Sequence, residues 1–192
     1  MESEIIEIVN KQGKVIRKAR RSTAYKKGLL HKAVNIVIFN SKGELFIQQR
    51  SSKKSSFPLF WDISAAEHVK PKENFKEAAM RGLMEELSID AKVKKIRPKH
   101  IQKSEFSKGG IEIIENELVE LYATIYNGKI KIDPSEVKNG KFVLLTKLKS
   151  LIAKEEVKIT PWGLDEIDFI INSWTIIYKD IFPYPHASRR EI

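Results

Sequence analysis

Apolar and polar positions along this chain change period several times, and each change marks an element. Residues 3–9 (SEIIEIV) read as a strand, and a turn at Gln12-Gly13 leads to a second over 14–18, which predicts a hairpin. The strongest strand signal is the apolar run 32–39 (KAVNIVIF). It ends in the turn Asn40–Gly43, and a partner strand follows over 44–49. A polar loop over 51–58 and a short extended segment over 61–66 come next. The period then shifts to that of a helix over 74–87: Phe75, Ala78, Ala79, Leu83 and Leu87 recur on one face, and Asn74 is placed to cap the start. Glu77, Arg81 and Glu85 fall four apart on the other side, where they can pair. Strands are predicted over 92–101, 111–126 and 141–145, with a turn at Asn127-Gly128. A short helix over 148–153 and a longer one over 161–181 complete the pattern. In the longer helix Trp162, Leu164, Ile167, Ile170, Ile171 and Trp174 are expected against the sheet. Strands interrupted by helices in this order predict an α+β fold built on a mixed sheet.

Composition narrows the class. The chain has 192 residues, 42% of them hydrophobic, enough for one domain with a core. No stretch approaches the roughly 18 consecutive apolar residues of a membrane span, and the first residues (MESEIIEIVNKQGK) carry no apolar signal core. With no cysteine in the chain, disulfides, thiolate metal sites and a thiol nucleophile are excluded. A cytoplasmic location is the expectation. The net charge of +10 favours anionic partners. The lysines are spread along the chain without a long basic run or an aromatic-basic motif. A small phosphorylated molecule is therefore expected rather than nucleic acid, with no membrane role and a homodimer left open.

The chemistry concentrates between Glu73 and Glu86. Clustered carboxylates repel one another unless a cation sits among them, and neighbouring helical residues lie about 100° apart, so Glu85 and Glu86 can flank one helix edge. Hard oxygen ligands suit Mg2+ or Mn2+, ions that neutralise charge on phosphate oxygens. Gly82 stands out within this helix, because a glycine there costs about 1 kcal/mol relative to alanine. Either a ligand or a neighbouring element would explain it.

The segment 67–89, EHVKPKENFKEAAMRGLMEELSI, resembles the signature box of the Nudix superfamily. Glu73, Arg81, Leu83, Glu85, Glu86 and Ile89 match that box in position. Glu67 and Ser88 stand where it has glycines, and Gly82 stands where it has its first helix glutamate. The stretches LHKA (30–33), FNSKGELFIQQRSSKK (39–54), FPLFWDISAAEH (57–68), Glu115-Asn116-Glu117 and Thr160-Pro161-Trp162 extend the resemblance, over roughly 3–175, to the branch containing type 1 isopentenyl-diphosphate isomerase. The resemblance implies the Nudix fold, a mixed sheet between helices. It gives one domain spanning 1–192, with a core over 31–160, the hairpin 3–20 and the helix 161–181. It also implies a metal site at His31, His68, Glu115 and Glu117, a second ion at Glu86, and diphosphate contacts from Arg50 and Lys54; Glu85 is expected to join Glu86 on metal, and Arg81 to join the substrate contacts.

Two departures bear on the reaction. The isomerase pattern has a cysteine acid/base at the position of Ala66, and a further metal-ligand histidine near Ala24; this chain has neither. A metal-dependent hydrolase of a nucleoside- or alcohol-diphosphate derivative is therefore expected, with Glu85, Glu86 and Glu117 catalytic and the base sought among Glu112, Glu115 and Glu117. An isomerase-like enzyme and a binding module without turnover are the alternatives.

Overall fold

The computed structural model describes residues 4–182, so the outer ends of the expected span, 1–3 and 183–192, lie outside the described residues. Its elements run β1 (Ile5–Val9), β2 (Val15–Arg20), α1 (Arg21–Lys27), β3 (His31–Phe39), β4 (Leu45–Arg50), β5 (Trp61–Asp62), β6 (Ala65–His68), α2 (Phe75–Leu87), β7 (Lys94–Lys108), β8 (Ile111–Ile125), β9 (Val137–Val143), α3 (Leu145–Ala153) and α4 (Pro161–Ile181). The strands form one mixed, curled sheet with β3 at its centre. There β3 pairs antiparallel with β6 and parallel with β8, and touches β1 and β4 at its two ends.

The apolar run in β3 is explained by burial on both faces. Val34, Ile36 and Ile38 pack with Ala78, Ala79, Leu83 and Leu87 of α2. Val37 and Phe39 point the other way, into a cluster with Leu148 of α3 and Ile167 and Ile170 of α4. Alternation along the strand thus places one helical layer on each side. Of the residues expected to anchor α4, Leu164, Ile171 and Trp174 pack at the edge of this cluster, whereas Trp162 turns elsewhere.

Helix α2 begins at a complete capping box: the Asn74 side chain accepts from the Glu77 N–H, and the Glu77 carboxylate accepts from the Asn74 N–H. It ends at Ser88 with φ 54°, a left-handed conformation that favours glycine, which explains why the box has glycine here. Several expected boundaries move. Helix α1 has no counterpart in the periodicity, because its seven residues bury only Ala24. β7 runs to Lys108 rather than ending near 101. Its outer part has little burial to mark it and is held by pairing with β8 across Gly109 and Gly110, both at positive φ as a two-residue hairpin turn requires. β9 starts at Val137, not 141. Gly140 lies against the Phe46 ring there, so a residue that reads as a breaker is what the strand needs for close approach.

One polar network is buried between the sheet and α4. Glu166 accepts hydrogen bonds from Asn35, Gln102 and Arg97 and bonds His100, so its fully buried carboxylate is satisfied. Burial opposes charge on His100, but its bond to Glu166 outweighs this and raises its pKa above the usual histidine value. That stability is present below the ordinary histidine pKa of about 6.5 and is lost as pH rises through the folded-state value. Comparing wild type with His100→Gln by denaturant unfolding at several pH values should therefore give a stability difference that shrinks from pH 6 upward. A difference independent of pH would mean that the ring contributes no charge.

Candidate active site

Register builds the site. β3 sets His31 beside Glu117 of β8 and Ala33 beside His68 of β6. Strand alternation then puts His31, Ala66, His68, Glu115 and Glu117 on one face, at the end of β3 that α4 leaves open. His31, His68 and Glu117 each offer a ligand atom within 4.8 Å of the others. Glu117 Oε1 lies 3.2 Å from His68 Nε2 and 3.5 Å from His31 Nε2. His31 Nδ1 is 2.9 Å from the Leu29 carbonyl. A carbonyl only accepts, so Nδ1 carries a proton and Nε2 is the nitrogen turned to Glu117. Among the described residues that buried Nε2 has no hydrogen-bond partner. An imidazole fixed through one nitrogen, with the other aimed at a carboxylate and unsatisfied, fits a metal ligand.

The N-terminal segment closes this cluster. Ala24 of α1 packs with Ile6 and Ile8. The next residue, Tyr25, turns to the histidines and sets its hydroxyl 3.0 Å from His68 Nε2. Glu4, held by Arg21 at 3.0 Å, lies 3.8 Å from His68 Nδ1. Burial opposes charge on His68, but hydrogen bonds to Glu117 and Glu4 push its pKa up to about 9. Burial opposes charge on Glu117 as well, yet the two histidines hold it well below the usual carboxylate range. Glu115 is raised by burial and by the Glu117 charge, and one of its oxygens accepts from Ser104 at 3.2 Å.

A cleft of about 540 Å³ opens over these residues. Its lining brings Glu67, Glu85, Glu86, Glu115 and Glu117 together with Arg50, Lys53 and Lys54, and Asp133 and Glu136 lie beside the lysines. Arg50 folds the loop 51–58 around itself. Its Nε and one terminal nitrogen donate to the Ser56 carbonyl, and the other donates to buried Asp62 at 3.1 Å. Asp62 also accepts from Thr160 and from Trp162, which ties the start of α4 to β5 and explains where Trp162 points. Lys54 pairs with Glu136 at the mouth of the cleft.

The adjacent glutamates of α2 part company. Glu86 is 3% exposed, lines the cleft and accepts from Gln48 Nε2 at 3.0 Å; burial and the nearby Glu67 push its pKa up to about 8. Glu85 lines the same cleft but is half exposed, and its oxygens are salt-bridged to Arg81 and Lys70. Arg81, expected at the substrate, is engaged by the protein itself. All five of its N–H groups are spent on Glu67, Glu73, Glu85 and the His68 carbonyl, and it does not line the cleft. It clamps the loop before α2 instead. Glu112, near the tip of the β7–β8 hairpin, is exposed and away from the cleft. Sequence reasoning missed Glu4, Arg21, Tyr25 and Asp62 as neighbours of the site. Only Tyr25 left a signal, beside the position where a histidine was sought.

A family model described as NUDIX domain matches residues 29–163. Among curated relatives, isopentenyl-diphosphate Delta-isomerase 2 of Photorhabdus laumondii is 32% identical, covering 93% of this chain and 95% of its own. The human protein of the same name is 30% identical over 94% of this chain and 88% of its own. The crystal structure of DR0079 from Deinococcus radiodurans superposes with a TM-score of 0.65 at 22% identity, covering 86% of this chain and 98% of that one, a likeness of fold. In an Mn2+ titration by calorimetry, His31→Ala should lower affinity by more than about tenfold, the loss that follows removal of even a supporting partner of a ligand. Unchanged affinity would show that the unsatisfied Nε2 is no ligand.

Proposed function

For a chain that belongs to the NUDIX domain family, we propose metal-dependent hydrolysis of a small diphosphate derivative in the cleft lined by both the carboxylates and Arg50, Lys53 and Lys54. The observation that carries this reading is the unsatisfied His31 Nε2, grouped with His68 and Glu117, of which His68 and Glu117 line the same cavity as Arg50, Lys53 and Lys54. His31, His68 and Glu117 would hold one divalent ion, with Glu115 beside them. Two imidazoles with carboxylate favour Mn2+ there, whereas the carboxylate at Glu86 suits Mg2+ or Mn2+. Such ions supply charge neutralisation on phosphate oxygens.

The chain's own groups do the rest. Lys53 and Lys54 offer point charges to the diphosphate, and Arg50 shapes the loop that carries them. Glu115, two residues from Glu117 on the same strand and lining the cleft, is the carboxylate assigned to take a proton from attacking water. Ala66 presents only a methyl group to the cleft, so the position next to His68 has no proton to give.

A second reading, isomerisation of isopentenyl diphosphate, is favoured by the names of the relatives and by the same His31–His68–Glu117 grouping. Ala66 counts against it. Phosphate release from a panel of diphosphate derivatives with Mn2+ or Mg2+ tests the first reading: Glu117→Gln, which weakens a metal ligand, should lower turnover at least about tenfold. Equal rates for wild type and variant on every substrate would contradict it. Deuterium entering isopentenyl diphosphate from D2O would instead support isomerisation.

A further inference from the structure

Two departures from the box pattern are complementary. The box has glycine at the position of Glu67 and glutamate at the position of Gly82; this chain carries them the other way round. The structure shows the two positions sharing one space. A Cβ built on Gly82 would lie 2.7 Å from Glu67 Cγ and 3.4 Å from its Cβ, so the Glu67 side chain fills the room that a side chain at 82 would take. Alternation along β6 explains the direction: His68 and Ala66 turn toward the histidine cluster, and Glu67 turns toward α2.

The surroundings call for a cation. Glu86 lies one helical turn beyond Gly82 on the same side, buried and lining the cleft with Glu67. Gln48, 3% exposed, donates to Glu86 and leaves its buried Oε1 without a partner. Glu67 Oε2 accepts from Arg81 at 2.6 Å, and among the described residues no donor reaches Oε1. Arg81 already binds both oxygens of Glu73 and one of Glu85, so pairing with Arg81 alone does not account for a glutamate set over a mid-helix glycine.

We propose that Glu67 supplies, from β6, the carboxylate that the box carries at helix position 82, so that Glu67 and Glu86 together hold a second divalent cation at the cleft. The inference rests on the diphosphate reading for what that ion would do. Its test, the count of bound ions, is made without substrate. The two can therefore fail separately: two ions with no diphosphate turnover would overturn the hydrolase reading and leave the role of Glu67 standing.

Calorimetric Mn2+ titration, with electron paramagnetic resonance to count bound ions, is the experiment. Wild type should bind two ions. Glu67→Gln, which keeps the shape of the side chain, should keep the ion of His31, His68 and Glu117 and weaken the other at least tenfold. Glu67→Gly should lose that second ion, and the exchanged variant Glu67→Gly/Gly82→Glu should regain it. Thermal unfolding of each variant confirms that folded proteins are compared. One ion in wild type, two ions of unchanged affinity in Glu67→Gln, or a folded exchanged variant that stays at one ion would each overturn the proposal.

Discussion

Parallel pairing between β3 and β8 fixes His31 beside Glu117, and antiparallel pairing between β3 and β6 fixes His68 near both. Because side chains alternate, a slip of one residue in either ladder would send a ligand to the opposite face. The apolar residues of β3 prevent such slips, since each face of the strand is locked into its own helical layer. The polar site is thus held in register by the same burial that holds the fold together. Arg81 does comparable work at the edge. By spending its five donors on Glu67 and the His68 carbonyl of β6, on Glu73 in the loop and on Glu85 of α2, it fixes β6 relative to the helix.

Electrostatics gives the cleft its direction. Glu86 and Glu115 are buried at the cleft and Glu117 is largely so, where charge is costly to hold without a counter-ion. Histidines relieve Glu117, whereas Glu86 and Glu115 keep raised pKa values. Arg50, Lys53 and Lys54 line the same cavity. A diphosphate with divalent ions would answer both kinds of charge, its oxygens meeting the basic groups and the ions the carboxylates. The overall charge of +10 adds a long-range attraction for such a ligand.

Much of this was readable in the residues, and the failures have physical causes. The helix over 74–87, its cap and its apolar face were legible because burial and capping act locally. His31, His68, Glu115 and Glu117 were reached through resemblance; their meeting depends on pairing between distant strands, which periodicity does not report. The different burial of Glu85 and Glu86 was not legible, because a helix edge can turn one residue inward and leave the next in exposed salt bridges. Helix α1 and Tyr25 were missed because seven mostly polar residues carry no stripe. Gly82 was read as a vacancy open to two explanations, and only the position of Glu67 shows what fills it.

Anomalous diffraction from crystals soaked with Mn2+ tests the central claim most directly. The account predicts a strong peak within bonding distance of His31 Nε2, His68 and Glu117, in the cleft that Lys53 and Lys54 face. Protein crystallised with saturating Mn2+ that shows no density at His31 Nε2 would contradict it.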